Sequence, residues 1–125
     1  MEYCVVMWRI IATEGWLHDQ RQYSIAKPDA VAVVIRNLQR YHRLLNVSID
    51  SKSVEAEYLH HESAGIVSIS QHGLGNFEED FRIYTYAEDA TRYLFLLAMG
   101  KENEKNADLE YCMALVYHRK EKTKT

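Results

Sequence analysis

The chain has 125 residues, 47% of them hydrophobic and 26% charged, a composition typical of one soluble globular domain with its own core. Its net charge of −3 argues against nonspecific binding of nucleic acid, which depends on an excess of lysine and arginine. The apolar runs are shorter than the roughly 18 residues of a membrane helix, and Glu2 and Arg9 do not suit a signal peptide. We therefore expect a cytoplasmic protein with a single domain, residues 1–125, and a frayed tail at about 120–125.

The N-terminal segment predicts a strand followed by a polar connection. Residues 3–12, YCVVMWRIIA, are rich in β-branched and aromatic side chains, which favour an extended strand. Residues 13–27 are mostly polar and are predicted as a connection. Continuation of the strand through Trp16 to Tyr23 stays open as an alternative.

A helix is predicted near residues 28–46. Pro28, the only proline of the chain, fits the first turn of a helix, where its missing N–H removes no hydrogen bond. Asp29 beside it favours the positive end of the helix dipole. The residues that recur at helical spacing after them are Val31, Val34, Ile35, Leu38, Tyr41, His42 and Leu45.

The middle of the chain gives weaker signals. Residues 47–64 fit either a short helix around 52–60 or an irregular loop. Gly65 then opens GIVSISQ, a short predicted strand with Val67 and Ile69 on one face. The turn signals beyond this strand are Gly73, Gly75 and Asn76.

Two more strands and a helix are predicted in the last third of the chain. One strand spans residues 81–87, and a second spans 92–99, whose unbroken apolar run favours a central position covered on both faces. Asp108 is predicted to cap a final helix near 107–119. The predicted apolar stripe of that helix is Leu109, Met113, Val116 and Tyr117.

The two faces of strand 81–87 differ, because successive side chains point in opposite directions. One face carries Phe81, Ile83, Thr85 and Ala87. The other carries Arg82, Tyr84 and Tyr86. A cation and two phenols suit contact with a phosphate backbone. The alternative is the solvated face of a half-buried strand, where aromatic pairs are common.

These elements follow one another in the order β-α-(α)-β-β-β-α. The three consecutive late strands predict an antiparallel meander, onto which the first strand and helix pack. We therefore predict a small α+β domain built on an antiparallel sheet, with helices packed mainly on one face.

The segment FRIYTYAEDATRYLFLLAMGKENEKNADLEYCMAL, residues 81–115, resembles the RelE/HigB-like toxins of bacterial type II toxin–antitoxin modules. The Arg-Ile-Tyr of residues 82–84 matches the arginine-aromatic strand of that family. The paired leucines of residues 96–97 match its apolar strand, and the Met-Gly-Lys of residues 99–101 with Lys105 matches its basic exit. The first half of the chain is similar to the family in the order of its elements.

The resemblance implies a RelE-like fold and an endoribonuclease that inhibits translation by cleaving mRNA, on the ribosome or free. It also implies a cognate antitoxin protein as partner. No cofactor and no metal ion are expected. In such toxins, cations and aromatic side chains on the sheet face stabilise the scissile phosphate and activate the 2′-hydroxyl. By position, Arg82 would stabilise the phosphate, and Tyr84 or Tyr86 would stack on a base or orient the hydroxyl. The remaining candidates are Lys101 and Lys105 for the backbone and His118 as acid or base.

A basic stripe on the predicted helix 28–46 is a second candidate contact for RNA. Arg36, Arg40 and Arg43 recur at i, i+4 and i+7 and therefore share one helix face. A solvated face opposite the core explains such a stripe, and contact with RNA phosphates or an acidic partner is the alternative. His118, near the end of the last helix, is explained in the same way by a favourable contact with the helix dipole.

The cysteines and histidines give no separate site. Cys4 and Cys112 lie in apolar surroundings and are predicted as buried thiols rather than as a disulfide. His60, His61 and Glu62 are adjacent, so their side chains point apart and no metal site is predicted.

Acidic residues near the proposed groove favour a second hypothesis. Glu102 and Glu104 dilute the basic exit, and residues 78–80 add three carboxylates. Together with nine tyrosines and the net negative charge, they predict a non-catalytic interaction module on the same fold, a degenerate toxin or a small homodimer. A small-molecule-binding α+β domain is a third hypothesis, which a deep apolar pocket would favour.

Overall fold

The computed structural model describes residues 7–71 and 80–124. Cys4, the start of the predicted strand 3–12 and the predicted turn at residues 73–76 lie outside them. The strands are β1 (Arg9–Ala12), β2 (Leu59–His61), β3 (Ile66–Ile69), β4 (Phe81–Glu88) and β5 (Tyr93–Lys101). The helices are α1 (Glu14–Ala26), α2 (Pro28–Asn46) and α3 (Lys105–Thr123). The fold is α+β, as predicted.

All five strands form one mixed sheet in the order β1-β5-β4-β3-β2. The strands β3, β4 and β5 form the predicted antiparallel meander, and β2 adds to it antiparallel. Contrary to the prediction, the sheet is not purely antiparallel, because β1 pairs parallel to β5. As predicted, β5 is central, with β1 on one side and β4 on the other.

Helices cover both faces of the sheet, and two of the three pack on the same face. On the α1/α2 face, Phe81 and Ile83 of β4 share a core with Val34 and Tyr41 of α2. On the α3 face, the residues that form a second, smaller core are Ile66, Tyr84, Leu97, Ala98, Cys112 and Val116. The alternation predicted for β4 is therefore confirmed, and each of its faces is packed. Cys112 is a buried free thiol, as expected.

The α2 helix has the predicted bounds, residues 28–46. Pro28 lies in the first turn with Asp29 beside it, and the apolar stripe from Val31 to Leu45 is buried against the sheet. The α2 helix was predictable from its continuous apolar periodicity, because a helix that covers a sheet must present one apolar stripe.

The α1 helix was not predicted, and the strand continuation through residues 16–23 is wrong. Thr13 begins the helix: its hydroxyl accepts from the Trp16 N–H at 3.2 Å and donates to the Leu96 carbonyl at 2.8 Å. Glu14 follows in the first turn, where an acidic side chain is favourable. Because Trp16 is its one buried residue, α1 has no apolar stripe that would identify it in the sequence.

Residues 47–64 form neither a helix nor a simple loop. They contain the short strand β2 and two single turns of 3₁₀ helix, Ser51–Ser53 and Ser63–Gly65. At the other end of the chain, α3 reaches Thr123, so most of the segment expected to fray is helical. Among the described residues, no helix is long and apolar enough to cross a membrane.

Candidate functional site

Arg82 lies on the α3 face of β4, at the edge of the small core. Its side chain is only 12% exposed and forms an ion pair with Glu102. The guanidinium also donates to the Ser68 hydroxyl at 3.1 Å. The cation predicted to hold a phosphate is therefore already compensated by a carboxylate.

The contacts of Arg82 extend to Lys105 at the start of α3. The Ser68 hydroxyl donates to Glu62 Oε1 at 3.1 Å, and Lys105 Nζ lies 3.2 Å from the same oxygen. We call these five residues, Glu62, Ser68, Arg82, Glu102 and Lys105, the edge network. It joins two sequence-predicted cations, and it ties β3, β4 and the loop before α3 together.

His60 lies beside the edge network on β2. Its Nε2 is 3.2 Å from the Ser70 hydroxyl. Burial lowers the pKa of the His60 imidazole, and the nearby Arg82 lowers it further. His61 points elsewhere, with Nε2 at 3.1 Å from the Val54 carbonyl. Across residues 7–71 and 80–124, no group of three His, Cys, Asp or Glu side chains could hold a metal ion.

The two tyrosines predicted to face RNA lie under α3. Tyr84 is fully buried beside Cys112 and Val116, so the expectation that it stacks on a base does not fit this fold. Burial also raises the pKa of its phenol, which stays protonated at neutral pH. Tyr86 is half-buried, and its ring centroid lies 6.3 Å from that of Phe95.

Lys101 and His118 do not join Arg82. Lys101 pairs directly opposite Phe81 in the β4–β5 ladder, and paired residues project to the same face, which here is the α1/α2 face. His118 is exposed near the far end of α3 from Lys105. Among the predicted catalytic and exit residues, the edge network joins Arg82 and Lys105.

The predicted basic stripe lies on the opposite side of the sheet from the edge network. Arg36, Arg40 and Arg43 are exposed on α2, which packs on the α1/α2 face. Arg40 donates to Asn37 Oδ1 at 3.2 Å, and its guanidinium carbon lies 4.9 Å from the centre of the Tyr58 ring. These arginines cannot extend a groove around Arg82.

A carboxyl group that sequence reasoning assigned to a helix cap is instead packed against the sheet. Glu104, not Asp108, is the residue that precedes α3, and the Asp108 side chain lies against Gly100 of β5. Within the described part of the chain, Asp108 Oδ2 is buried without a hydrogen-bond partner. Burial raises the pKa of Asp108 to about 6, and the charges of Glu104 and Asp19 add to the shift.

Asp19 on α1 is the second carboxyl of this region. It accepts from the Met99 N–H at 3.2 Å, yet burial still raises its pKa. A carboxyl with a pKa near 6 suits proton transfer at neutral pH. The buried oxygen of Asp108 is out of reach of a substrate. We therefore expect Asp19 and Asp108 to make stability depend on pH, and not to transfer protons to a substrate. The contact between Asp108 of α3 and Gly100 of β5 depends on how the helix packs on the sheet, so it leaves no local signal in the sequence.

Replacing Asp108 by asparagine should change how stability depends on pH. The folded-state pKa of Asp108, about 6, exceeds its ordinary value of 3.8. The folded protein therefore holds this proton more tightly than the unfolded chain, and the wild type loses stability as the pH rises from about 4 to 6. In Asp108→Asn that loss should be absent, so the variant should gain stability relative to wild type toward pH 7. Urea unfolding at several pH values measures this, with Glu110→Gln on the exposed side of α3 as the control. Parallel curves for wild type and Asp108→Asn would contradict the assignment.

The outer edge of β1 carries a small apolar surface. The N–H groups of Arg9 and Thr13 point to the β5 side, where they donate to Arg92 O at 2.8 Å and Leu96 O at 3.1 Å. Because strand residues alternate, Ile10 and Ala12 direct their N–H and C=O groups to the other side. Among the strands of the described ranges, none pairs with that side of β1.

Side chains around this edge add exposed apolar area. Ile10 is 39% exposed and Met7 is 58% exposed. Tyr111 of α3 reaches Gly15 at the start of α1, just beyond the end of β1, and is 47% exposed. We call Met7, Ile10, Ala12 and Tyr111 the β1 edge surface. It is fixed from behind, because Trp8 N–H donates to Asn46 Oδ1 of α2 at 2.7 Å.

Comparisons with protein-family models, with curated proteins and with solved structures found no match to this chain.

Proposed function

We propose that the protein is a non-catalytic interaction module that forms a homodimer through the β1 edge surface. The observation that carries this proposal is the apolar outer edge of β1, with which no described strand pairs, in a sheet whose two faces are covered. An exposed strand edge offers a row of unpaired backbone groups, and a second strand can satisfy them.

The arrangement of charge around β1 favours a second copy as the occupant. An antiparallel pairing of two β1 strands about a twofold axis opposes Ile10 of one copy and Ala12 of the other, because these are the residues whose backbone N–H and C=O groups point outward. The same pairing brings Arg9 of one copy within reach of Glu14 of the other, because these residues flank the strand at opposite ends. An interface of this kind is self-complementary, as twofold symmetry requires.

The placement of the predicted catalytic residues supports the non-catalytic part of the proposal. Arg82 is held by Glu102 and Ser68, and Lys105 by Glu62. Tyr84 is buried under α3. RNA would have to displace internal carboxylates and a packed helix to meet these groups. The endoribonuclease implied by the RelE/HigB resemblance therefore has less support than a binding role.

Replacing Ile10 by lysine should disrupt the dimer. The two lysines would lie diagonally across the twofold axis on one face of the paired strands, where their charges repel, and lysine on an edge strand opposes further strand pairing. We expect wild type to sediment as a dimer and Ile10→Lys as a monomer, with dimerisation weakened roughly tenfold or more. Ile25→Lys on α1, where Ile25 is 86% exposed, is the matched control and should stay dimeric. A wild type that sediments as a monomer at the highest accessible concentration would overturn the dimer.

A separate experiment tests the non-catalytic part of the proposal. The protein is produced in growing bacteria, and ribosome-bound mRNA is mapped for new 5′ ends. We expect no growth arrest and no cleavage. Cleavage by wild type that Lys105→Gln or Arg82→Lys abolishes would instead establish the nuclease, with both variants checked for native stability.

A further inference from the structure

A cleft opens where the end of α3 approaches the β2–β3 connection. Its volume is about 420 Å³, within the range of small-ligand sites. The lining side chains that bear polar groups are Ser51, Lys52, His61, Tyr86, Asp89 and Lys120. We call it the lysine cleft. It lies away from the β1 edge surface, at the opposite side of the sheet.

The electrostatic balance of the lysine cleft is positive. Asp89 is its carboxylate, and both of its oxygens are engaged, because they accept from the Ser51 N–H at 2.9 Å and the Ser51 hydroxyl at 2.6 Å. Within residues 7–71 and 80–124, neither Lys52 nor Lys120 forms an ion pair. Lys120 instead lies over the Tyr86 ring, with Nζ at 5.8 Å from its centre.

Glu88, which precedes the cleft residue Asp89, pairs with Arg119 and not with these lysines. Glu88 at the end of β4 accepts two hydrogen bonds from Arg119, at 2.9 and 2.8 Å. This bidentate pair fixes Arg119 against Phe95 and turns Lys120, the next residue of α3, toward Tyr86 and the cleft. Glu88 is therefore engaged by Arg119, and the charge of Lys120 faces Tyr86.

The backbone that forms one wall of the cleft has an unusual conformation. Ala64 and Gly65 have φ angles of 61° and 79°. A left-handed alanine is uncommon and is kept where the surrounding structure requires it. A Cβ at Gly65 would lie 3.4 Å from Tyr86 Cε1, so the connection packs closely beside the phenol ring. Local backbone strain of this kind is frequent at ligand sites.

The groups around the cleft are mainly hydrogen-bond donors. Each lysine offers an ammonium group, and the Tyr86 hydroxyl remains a donor at neutral pH, since burial raises its pKa. The His61 Nε2–H donates to the Val54 carbonyl at 3.1 Å, so the donors open to a ligand are the two lysines and Tyr86. Acceptor-only oxygens of a phosphate group match such a set of donors.

We propose that the lysine cleft binds a small phosphate-bearing molecule of about nucleotide size, with Lys52 and Lys120 holding the phosphate group. The proposal is independent of the dimer, because the two surfaces lie at opposite sides of the sheet.

Titration with inorganic pyrophosphate tests the site. Saturable binding followed by calorimetry and by backbone amide shifts at residues 51–52, 64–65 and 120 is expected. Lys52→Gln and Lys120→Gln should each weaken it, and the double variant should weaken it roughly tenfold or more. Lys122→Gln, which removes an exposed lysine from the same helix outside the cleft, is the matched control and should bind as wild type does.

Two outcomes would overturn the proposal. One is the absence of saturable pyrophosphate binding. The other is an equal loss of affinity in Lys122→Gln and in the cleft variants, which would show only general attraction to the basic end of α3. A parallel titration with adenosine monophosphate separates the possible sources of the phosphate. Tighter binding of the nucleotide than of pyrophosphate assigns the rest of the cleft to an organic group, and the reverse order assigns the site to the inorganic anion.

Discussion

Gly100→Ala should lower the free energy of unfolding by about 3 kcal/mol, at the upper end for overpacking of a core. Gly100 is buried in β5, opposite Arg82 in the β4–β5 ladder. An added Cβ would overlap Asp108 Oδ2 and would lie 2.9 Å from Asp108 Cγ. The carboxyl group cannot simply swing away, because Asp108 stands in the first turn of α3 and the helix itself is packed on this face.

A double-mutant cycle measures whether Asp108 causes this loss. Urea unfolding of Gly100→Ala, Asp108→Ala and the double variant gives the coupling energy directly. We expect Asp108→Ala to restore most of the stability that Gly100→Ala removes. If Gly100→Ala lowers the free energy of unfolding equally with and without the Asp108 side chain, the steric explanation is contradicted.

Gly15→Ala is the matched glycine control. A Cβ at Gly15 would lie 2.7 Å from the Tyr111 hydroxyl oxygen, about as close as the Cβ at Gly100 to Asp108 Cγ. The contacted atom is, however, the tip of a half-exposed side chain that can rotate, and Gly15 lies inside α1, where alanine is favoured over glycine by about 1 kcal/mol. The variant should therefore keep or gain stability.

The elements that were predictable from the sequence are those whose burial pattern is local. The α2 helix buries a full apolar stripe, and β5 is apolar on both faces. The residue pattern of each element therefore indicates which of its faces are buried. The α1 helix contributes only Trp16 to the core and depends on its Thr13 cap, and the three-residue strand β2 depends on pairing with β3. Such elements are stabilised by partners distant in the sequence, which periodicity does not register.

The same distinction explains the candidate site. Alternation along β4 correctly placed Arg82, Tyr84 and Tyr86 on one face, because side-chain direction in a strand is a local property. Whether that face is open depends on where α3 packs, and this is decided by Cys112 and Val116 meeting Tyr84. Of the four residues in the predicted stripe of α3, Leu109, Met113 and Val116 pack in the small core, and Tyr117 is 58% exposed.

Arg82→Ala should lower stability by roughly 1–3 kcal/mol, the usual cost of removing one partner from a mostly buried polar network. The substitution takes away the partner of Glu102 and one of the two contacts of Ser68. Arg36→Ala, on the exposed face of α2, removes the same side chain without such contacts and should stay within about 0.5 kcal/mol of wild type.

The titration of His60 gives a second readout of Arg82→Ala that general destabilisation would not produce. After burial, the charge of Arg82 is the strongest influence that lowers the pKa of His60. Removing that charge should raise the His60 pKa toward its ordinary value, which histidine ring signals in NMR spectra can follow. Because Arg82 has this structural role, a loss of any activity in Arg82→Ala has to be compared with the loss of stability. If Arg82→Ala instead keeps full stability and leaves the His60 titration unchanged, the edge network does not hold the arginine. Its charge would then be available to an anionic partner such as RNA.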